Sequence, residues 1–329
     1  MASPGVGAKS YMQWGRETVW GTAVAATKRV GILRHSIEPK VKQERSKRLT
    51  GSYVQNRIYN LVEWCEGQIE MELSYNDHLL FLDCAAGTAT FAANGGATSG
   101  ANPYTHVFTD AKEFHNSLTI QLIEGDIPAT KCQRVIGAKV VGYSIKFTAH
   151  SLVTVTYDIV GKQLQNNQTP TGALTENASL TVLSGHVNSV ITGDGDTGAD
   201  VIVENFEFAH RNGVKKRERA GGGGYIHEPI RDGDTVATMK FRKEFRTVAA
   251  FDDFVGSGTD QNPTIVFSSS PSSLTIQMDT ARIVSYKSGV EPEFGIMFIE
   301  VECESILTVG PPDFAAKVTV VNAQATITT

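Results

Sequence analysis

Several groups of residues have types and spacings that could support metal binding or catalysis, and each lacks a required element. Asp194, Asp196 and Asp200 imitate the start of a calcium-binding loop, but the twelfth position is Asn205 instead of a bidentate glutamate. The eight histidines occur singly, without the H-x-x-x-H or H-E-x-x-H spacing of zinc sites. The chain also lacks a G-x-S-x-G turn and a P-loop. We therefore expect no catalytic residues, no metal, no cofactor and no enzymatic activity.

Tryptophans and cysteines are the other residues that could form a site. Trp14, Trp20 and Trp64 could line a carbohydrate-binding surface, although large aromatic residues of β-sandwiches more often belong to the core or to an interface. A tandem carbohydrate-binding or adhesion module therefore stays open as an alternative. The four cysteines have no C-x-x-C spacing, which predicts reduced, mostly buried thiols: Cys65, Cys84, Cys132 and Cys303.

The composition fits a folded protein without a strong affinity for nucleic acid. At 329 residues, the chain exceeds the length at which one hydrophobic core usually stops growing, which predicts two core-bearing units. Hydrophobic residues make up 41% of the chain, which argues against disorder, and the net charge of −5 gives no global basic field. The N-terminus lacks a signal-peptide pattern and no stretch approaches 18 apolar residues, so we expect a soluble chain without membrane contact.

Alternation of apolar and polar residues with a period of two dominates the chain and predicts β-strands. The clearest examples are residues 68–73, 143–147, 153–159 and 299–304, and the middle two predict a hairpin that turns at residues 149–151. Two short helices are predicted, one over residues 77–84 after the N-cap residue Asn76 and one over residues 247–255 before Gly256. Helices of this length must pack on a sheet to be stable.

An ordered internal repeat is the most informative feature of the sequence. Asn102–Phe108 is echoed by Asn262–Phe267, and Ser117–Leu122 (SLTIQL) by Ser273–Met278 (SLTIQM). In each half a basic stretch, an apolar–acidic strand, a short helix, these two segments and a hairpin follow one another in the same order. We therefore predict a tandem duplication of one β-rich unit, with units over residues 1–175 and 176–329 and a junction within residues 169–198.

The first residues carry a family resemblance. The phrase Y-x-x-W-G-x-E-x-x-W-G-T at residues 11–22 resembles the start of the tail tube proteins of long-tailed, siphovirus-like bacteriophages. Other segments similar to that family are the basic loop reaching residues 48–51, the strand that begins at Gly67, and residues 157–162, 204–208 and 212–213. The resemblance covers most of the chain and rests on the order of these segments.

The resemblance implies a mainly β fold of two tandem β-sandwich units, each with one short helix and a long hairpin arm. It also implies a structural protein of the virion tail, assembled in the host cytoplasm into stacked rings that form the channel for genome ejection. The implied partners are further copies of the chain, a tape measure protein in the lumen, and tail tip and terminator proteins, while DNA passes without specific binding. Because the unit is duplicated, three chains could build a pseudo-hexameric ring. A tail terminator or baseplate-hub ring protein of the same fold is an alternative.

Two sets of charged residues are candidate assembly sites. Two basic stretches could form arms that dock on an adjacent ring, with solvated hairpins and direct contact to nucleic acid as alternatives: Lys40, Lys42, Arg45, Lys47, Arg48, Arg211, Lys215, Lys216, Arg217 and Arg219. Two acidic strand faces could line the lumen, where negative charge repels phosphates, or could be ordinary outward surfaces: Glu70, Glu72, Glu300, Glu302 and Glu304.

Overall fold

The computed structural model of the chain describes residues 10–46, 57–93, 104–110, 116–124, 132–172, 174–176, 183, 190–192, 203–218, 223–244, 249–255, 260–269, 272–290, 297–306 and 314–324. This part of the chain is mainly β, as the alternation predicted. The elements up to residue 168 are β1 (Tyr11–Glu17), β2 (Lys28–Gly31), β3 (Arg34–His35), β4 (Glu38–Arg45), β5 (Ile58–Glu72), α1 (Leu79–Ala86), β6 (Gly87–Ala93), β7 (Tyr104–Asp110), β8 (Ser117–Ile123), β9 (Cys132–Thr148), β10 (Thr154–Gly161) and β11 (Gln163–Gln168).

The later part of the chain contributes ten more strands and a second helix among the described residues. They are β12 (Val190–Thr192), β13 (Val203–Arg211), β14 (Val214–Arg217), β15 (His227–Arg231), β16 (Val236–Glu244), α2 (Ala249–Val255), β17 (Thr264–Ser269), β18 (Ser272–Gln277), β19 (Ala281–Val290), β20 (Met297–Ser305) and β21 (Lys317–Asn322). The two segments that repeat in the sequence are β7 and β8 in the first half and β17 and β18 in the second. β17 and β18 pair with each other, whereas β7 and β8 belong to different sheets, so the repeated segments differ in their strand partners.

Most strands belong to one antiparallel sheet of 13 strands. Its main path runs β19-β20-β16-β13-β9-β10-β5-β3, and β1, β2, β4, β8 and β11 are attached beside this path. The strand order divides into two blocks of four strands: β19-β20-β16-β13 from the later half of the chain is followed by β9-β10-β5-β3 from the earlier half. The pair β13–β9 joins the two blocks.

The two blocks match in their registers. Thr156 of β10 lies opposite Ser144 of β9, and Glu300 of β20 lies opposite Lys287 of β19. The β9–β10 hairpin contains one register shift, directly after Asp158, and the β19–β20 hairpin contains one directly after Glu302. Both shifts therefore follow the second residue after the matched positions Thr156 and Glu300. A β-bulge is a specific local feature, and the two hairpins share its position. The duplication and the unit boundary near residue 175 stay predictions.

A second sheet of six strands crosses between the halves as well. Its order is β12-β17-β18-β21-β7-β6, and β21 from the end of the chain pairs with β7 from the first half. Buried apolar residues of both halves form one continuous hydrophobic cluster among the described residues. The strand pairs β13–β9 and β21–β7 therefore hold the two halves together over a shared core.

The hairpin and the helices lie close to where the sequence predicted them. The β9–β10 hairpin turns at residues 149–150, where His150 adopts a left-handed φ of 63°. α1 begins two residues later than predicted, because Asp77 is held in a turn in which the hydroxyl of Ser74 accepts a hydrogen bond from its N–H at 3.2 Å. α1 ends at Gly87, which has a φ of 85° and donates its N–H to the carbonyl of Asp83.

Candidate assembly surfaces

Glu17 is the centre of the N-terminal phrase that carries the family resemblance. Its side chain is buried and accepts four hydrogen bonds of 2.8–2.9 Å, from the N–H groups of Gly21 and Gly137 and the hydroxyls of Ser117 and Thr119. A buried carboxylate needs such partners, because its desolvation is otherwise costly. The phrase therefore fixes strand β1 against β8 and β9 and has a structural role.

Gly21 and the second tryptophan of the phrase, together with Gly137 of β9, complete this arrangement. Gly21 and Gly137 have left-handed φ angles of 71° and 64°, a conformation that favours glycine. The indole N–H of Trp20 donates to the carbonyl of Gly137 at 3.0 Å, and Trp14 is fully buried. Trp64 lies under the ammonium of Lys216, 3.7 Å from its ring centroid. All three tryptophans thus make contacts within the chain, which argues against a carbohydrate-binding site formed by them.

The five candidate lumen glutamates lie on one polar face of the main sheet. Ile69 and Met71 are buried and alternate with Glu70 and Glu72 along β5, and Val301 and Cys303 are buried between the glutamates of β20. The cross-strand pairs place them with polar residues of neighbouring strands in continuous rows: Glu72, Thr154, Lys146, Glu207, Lys240, Glu302 and Ser285 form one such row.

Ion pairs neutralise much of this polar face. Glu302 pairs with Lys240 at 3.0 Å and Glu300 with Lys287 at 3.5 Å, while Glu70 pairs with Arg34. Lys146 and Glu207 form a further pair at 2.9 Å across the β9–β13 joint. Glu304 lies opposite Arg282 and Thr238 in register. The sequence indicated an acidic ladder, and the structure adds the cations on adjacent strands that the local alternation could not reveal.

The first basic stretch forms one strand of a long hairpin, the β4–β5 arm. Lys40 pairs with Glu38 on its own strand, and Arg45 lies opposite Ile58. Lys47 and Arg48 lie outside the described residues. The arm also exposes apolar side chains on β4 and β5, namely Val41, Ile58, Tyr59 and Leu61.

The second basic stretch forms the short β14–β15 hairpin, and it contacts the first. Lys42 of the β4–β5 arm pairs with Glu218 at 2.5 Å, and this hydrogen bond raises the pKa of Lys42 and lowers the pKa of Glu218. Two lysines of this hairpin make contacts within the chain: Lys216 lies over Trp64, and Lys215 donates to the carbonyl of Asp232. Arg211 is the last residue of β13, and Arg217 lies opposite His227. Arg219 lies outside the described residues. The two arms thus adjoin, which sequence reasoning missed because their contacts join distant segments.

The described residues contain no group of three or more histidine, cysteine, aspartate or glutamate side chains that could hold a metal ion. The calcium-like segment 194–200 lies outside them. All four cysteines are buried and free, as predicted. Burial raises the pKa of Cys65 to about 12, so this thiol is unreactive at neutral pH. Within the described part of the chain, no helix is long and apolar enough to cross a membrane.

Comparison with known proteins agrees with the β-rich architecture and its N-terminal phrase. A family model described as phage tail tube protein matches residues 7–323. The chain belongs to this family. No curated protein matches the chain.

Family membership indicates the biological setting of the buried phrase around Glu17 and of the paired sheet blocks. The chain is a structural protein of the tube in a bacteriophage tail, and tail tube proteins assemble with copies of themselves. The surfaces that matter for such a protein are therefore strand edges, exposed apolar patches and charged arms.

Proposed function

We propose that this chain is the major tail tube subunit, and that copies of it close into rings that stack into the channel for genome ejection. The observation that carries the proposal is the order β19-β20-β16-β13 followed by β9-β10-β5-β3, in which one block is added to the next head to tail. A repeated head-to-tail contact closes into a ring when its rotation angle divides a full turn. Three chains supply six blocks, which supports a pseudo-sixfold ring.

We propose further that the polar face of the main sheet, with Glu70, Glu72, Glu300, Glu302 and Glu304, lines the channel. The lysines of this face are paired with glutamates, so they are poorly placed to bind phosphates. A surface with many unpaired lysines and arginines would release counterions from DNA and retain it. A charge-balanced face lets DNA pass and leaves room for a tape measure protein during assembly in the host cytoplasm.

The adjoining arms are proposed to dock on the next ring, where tail tip and terminator proteins would take the end positions. This is supported by their exposed lysines and by exposed apolar residues such as Ile58 and Tyr59. Charge reversal at Lys215, Lys216 and Arg217 is expected to block stacking and leave single rings, with unchanged circular dichroism. Normal tubes from this variant would contradict the role of the arms.

Negative-stain electron microscopy of the concentrated protein tests the main proposal. Long hollow tubes are the expected result. Single rings that never stack would favour the tail terminator or baseplate-hub alternative. Persistent monomers at high concentration would contradict ring assembly and favour a monomeric binding module.

A further inference from the structure

The internal joint between the two blocks shows what covers a block when a neighbour is present. β13 pairs with β9 from Asn205 opposite Thr148 to Arg211 opposite Gly142. Phe208 and His210 of β13 lie beside the ring of Tyr143, with centroid distances of 5.8 and 5.1 Å, and Tyr143 is only 4% exposed. The strand of the neighbouring block thus buries this edge.

Among the described residues, the corresponding edge of the other block lacks such a cover. Tyr286 of β19 is the counterpart of Tyr143, because each directly precedes the residue matched above, Lys287 and Ser144. Val290 corresponds to Phe147, because each lies three residues after the matched residues Lys287 and Ser144. Phe147 is 4% exposed beside Phe206 of β13, whereas Val290 is 56% exposed. β19 stands at the end of the strand path, so the pairing that protects β9 has no equivalent there within the described part of the chain.

Helix α2 adds an apolar surface to this free edge. Phe251 and Phe254 lie against Tyr286, with centroid distances of 5.6 and 6.4 Å, but remain 44% and 41% exposed. Val255 follows on the same helical stripe and is 62% exposed. An exposed apolar patch beside an unpaired backbone edge is a favourable place for strand addition.

The opposite end of the sheet carries the counterpart of β13. Arg34 lies opposite Glu70 of β5, as Asn205 lies opposite Arg242 of β16. Glu70 and Arg242 are matched residues, because they lie opposite Thr156 and Glu300 in the two blocks. Counting along the strands from these pairs matches Ile37 with Phe208 and Pro39 with His210.

We propose that the edge formed by β3 and β4 of one chain pairs with β19 of a second copy, in the register that joins β13 to β9, and covers the exposed face of α2. This proposal rests on the ring assembly proposed above and identifies the two surfaces that meet. Ile37 and Pro39 of the second copy take the places beside Tyr286 that Phe208 and His210 occupy beside Tyr143. Pro39 has no N–H, which removes one ladder bond and limits indiscriminate pairing of this edge.

Charge on the two free edges fits this register. Glu38 falls opposite Lys287 in the proposed pairing, where the internal joint has Ala209 opposite Ser144. In the single chain Glu38 pairs with Lys40 and Lys287 pairs with Glu300, but the Glu38 and Lys287 side chains are 61% and 69% exposed, so each can also contact a charge on a neighbour. Opposite charges at directly facing positions favour a cross-strand pair.

Cysteine cross-linking tests the register directly. A chain with Glu38→Cys and Lys287→Cys is expected to form interchain disulfides in assembled tubes, visible as a ladder of linked chains on a denaturing gel without reductant. Directly opposed residues of antiparallel strands lie within the Cα distances that a disulfide needs. The native cysteines are buried and give little background. The matched control combines Arg34→Cys with Lys287→Cys, which lies four residues out of register, roughly 13 Å along the strand, and leaves the arms unchanged.

If the Glu38→Cys, Lys287→Cys chain forms tubes but gives no more interchain disulfide than this control, the proposed joint is wrong even though the tubes form. A wild-type chain that never forms rings would instead overturn the proposed function. A second variant answers the case in which the cysteines impair assembly. Phe251→Ser with Phe254→Ser is expected to yield folded monomers and a loss of rings, whereas Asp252→Ser, on an exposed position of the same helix, keeps them. Normal rings from the phenylalanine variant would contradict the covering of α2.

Discussion

The two helices occupy matching places in the repeat but differ in burial, and the difference shows how this chain depends on neighbours. α1 packs on β9 and is also contacted by β6 and β7, so that all eight of its residues are buried. α2 packs on β19 and exposes Phe251, Phe254 and Val255. β9 has β13 beside it, whereas β19 ends the sheet. The first half is thus completed inside the chain, and the second half presents the same kind of surface to the outside.

The largest expected difference is between truncations of the two helices. Phe81 of α1 is fully buried and contacts Trp14 and Tyr157, at centroid distances of 5.4 and 4.9 Å. Phe81→Ala should lower the free energy of unfolding by about 3–5 kcal/mol, as for other buried phenylalanines. Phe254→Ala should cost the monomer far less, because its ring is already partly in water. Urea denaturation at a protein concentration too low for assembly measures the free energy of unfolding of both variants. Equal losses of stability would contradict the difference between the two helices.

The second prediction concerns the pH dependence of the start of α1. His78 precedes this helix, with Nδ1 3.1 Å from the hydroxyl of Tyr157 and Nε2 3.0 Å from the carbonyl of Glu72. Burial lowers the pKa of His78 to about 4, against about 6.5 in an unfolded chain. As the pH falls below 6.5, the unfolded state binds the proton first, so stability should decrease until about pH 4, by roughly 3 kcal/mol.

Denaturation series between pH 7 and pH 4 test this prediction for the wild type and for His78→Gln. The glutamine variant should be less stable at pH 7 but should lose less stability on acidification. If the free energy of unfolding decreased equally with pH in both proteins, groups other than His78 would dominate the pH dependence in this range. Position 248, the corresponding place before α2, is a valine, so no equivalent proton site is expected there.

Strand positions and turns were predictable from the sequence because they depend on local alternation. The period of two in residues 299–304 and the hairpin around His150 are found in the structure. The pairs β13–β9 and β21–β7 were not predictable, because they join segments far apart in the chain and local periodicity contains no information on partners. The cations beside Glu300 and Glu302 were missed for the same reason.

The third prediction concerns a polar group that ties α1 to the internal joint. The amide of Asn212, just after β13, is buried and donates to the carbonyls of Ala85 and Val140, at 3.1 and 2.8 Å. Asn212→Ala leaves these acceptors short of a donor and should cost about 1–3 kcal/mol. The same measurement on Val41→Ala, at the matching place on the free edge, should give a smaller loss because Val41 is 40% exposed. Similar losses at both positions would argue against a stronger internal joint.

The smallest expected effect lies in the ion pair across the internal joint. Lys146 and Glu207 face each other between β9 and β13 at 2.9 Å, and both are about half exposed. Lys146→Ala should therefore lower the stability by less than about 1 kcal/mol, and high salt should reduce the difference further. In the proposed joint between chains, the matching positions are Ser36 and Gly289, which carry no charge. If Ser36→Glu with Gly289→Lys strengthened tubes in low salt, the matching of the two joints would gain support. A neutral result with intact tubes would show that strand pairing and the apolar face of α2 outweigh this position, since a side chain at 289 must also displace the nearby ring of Phe298.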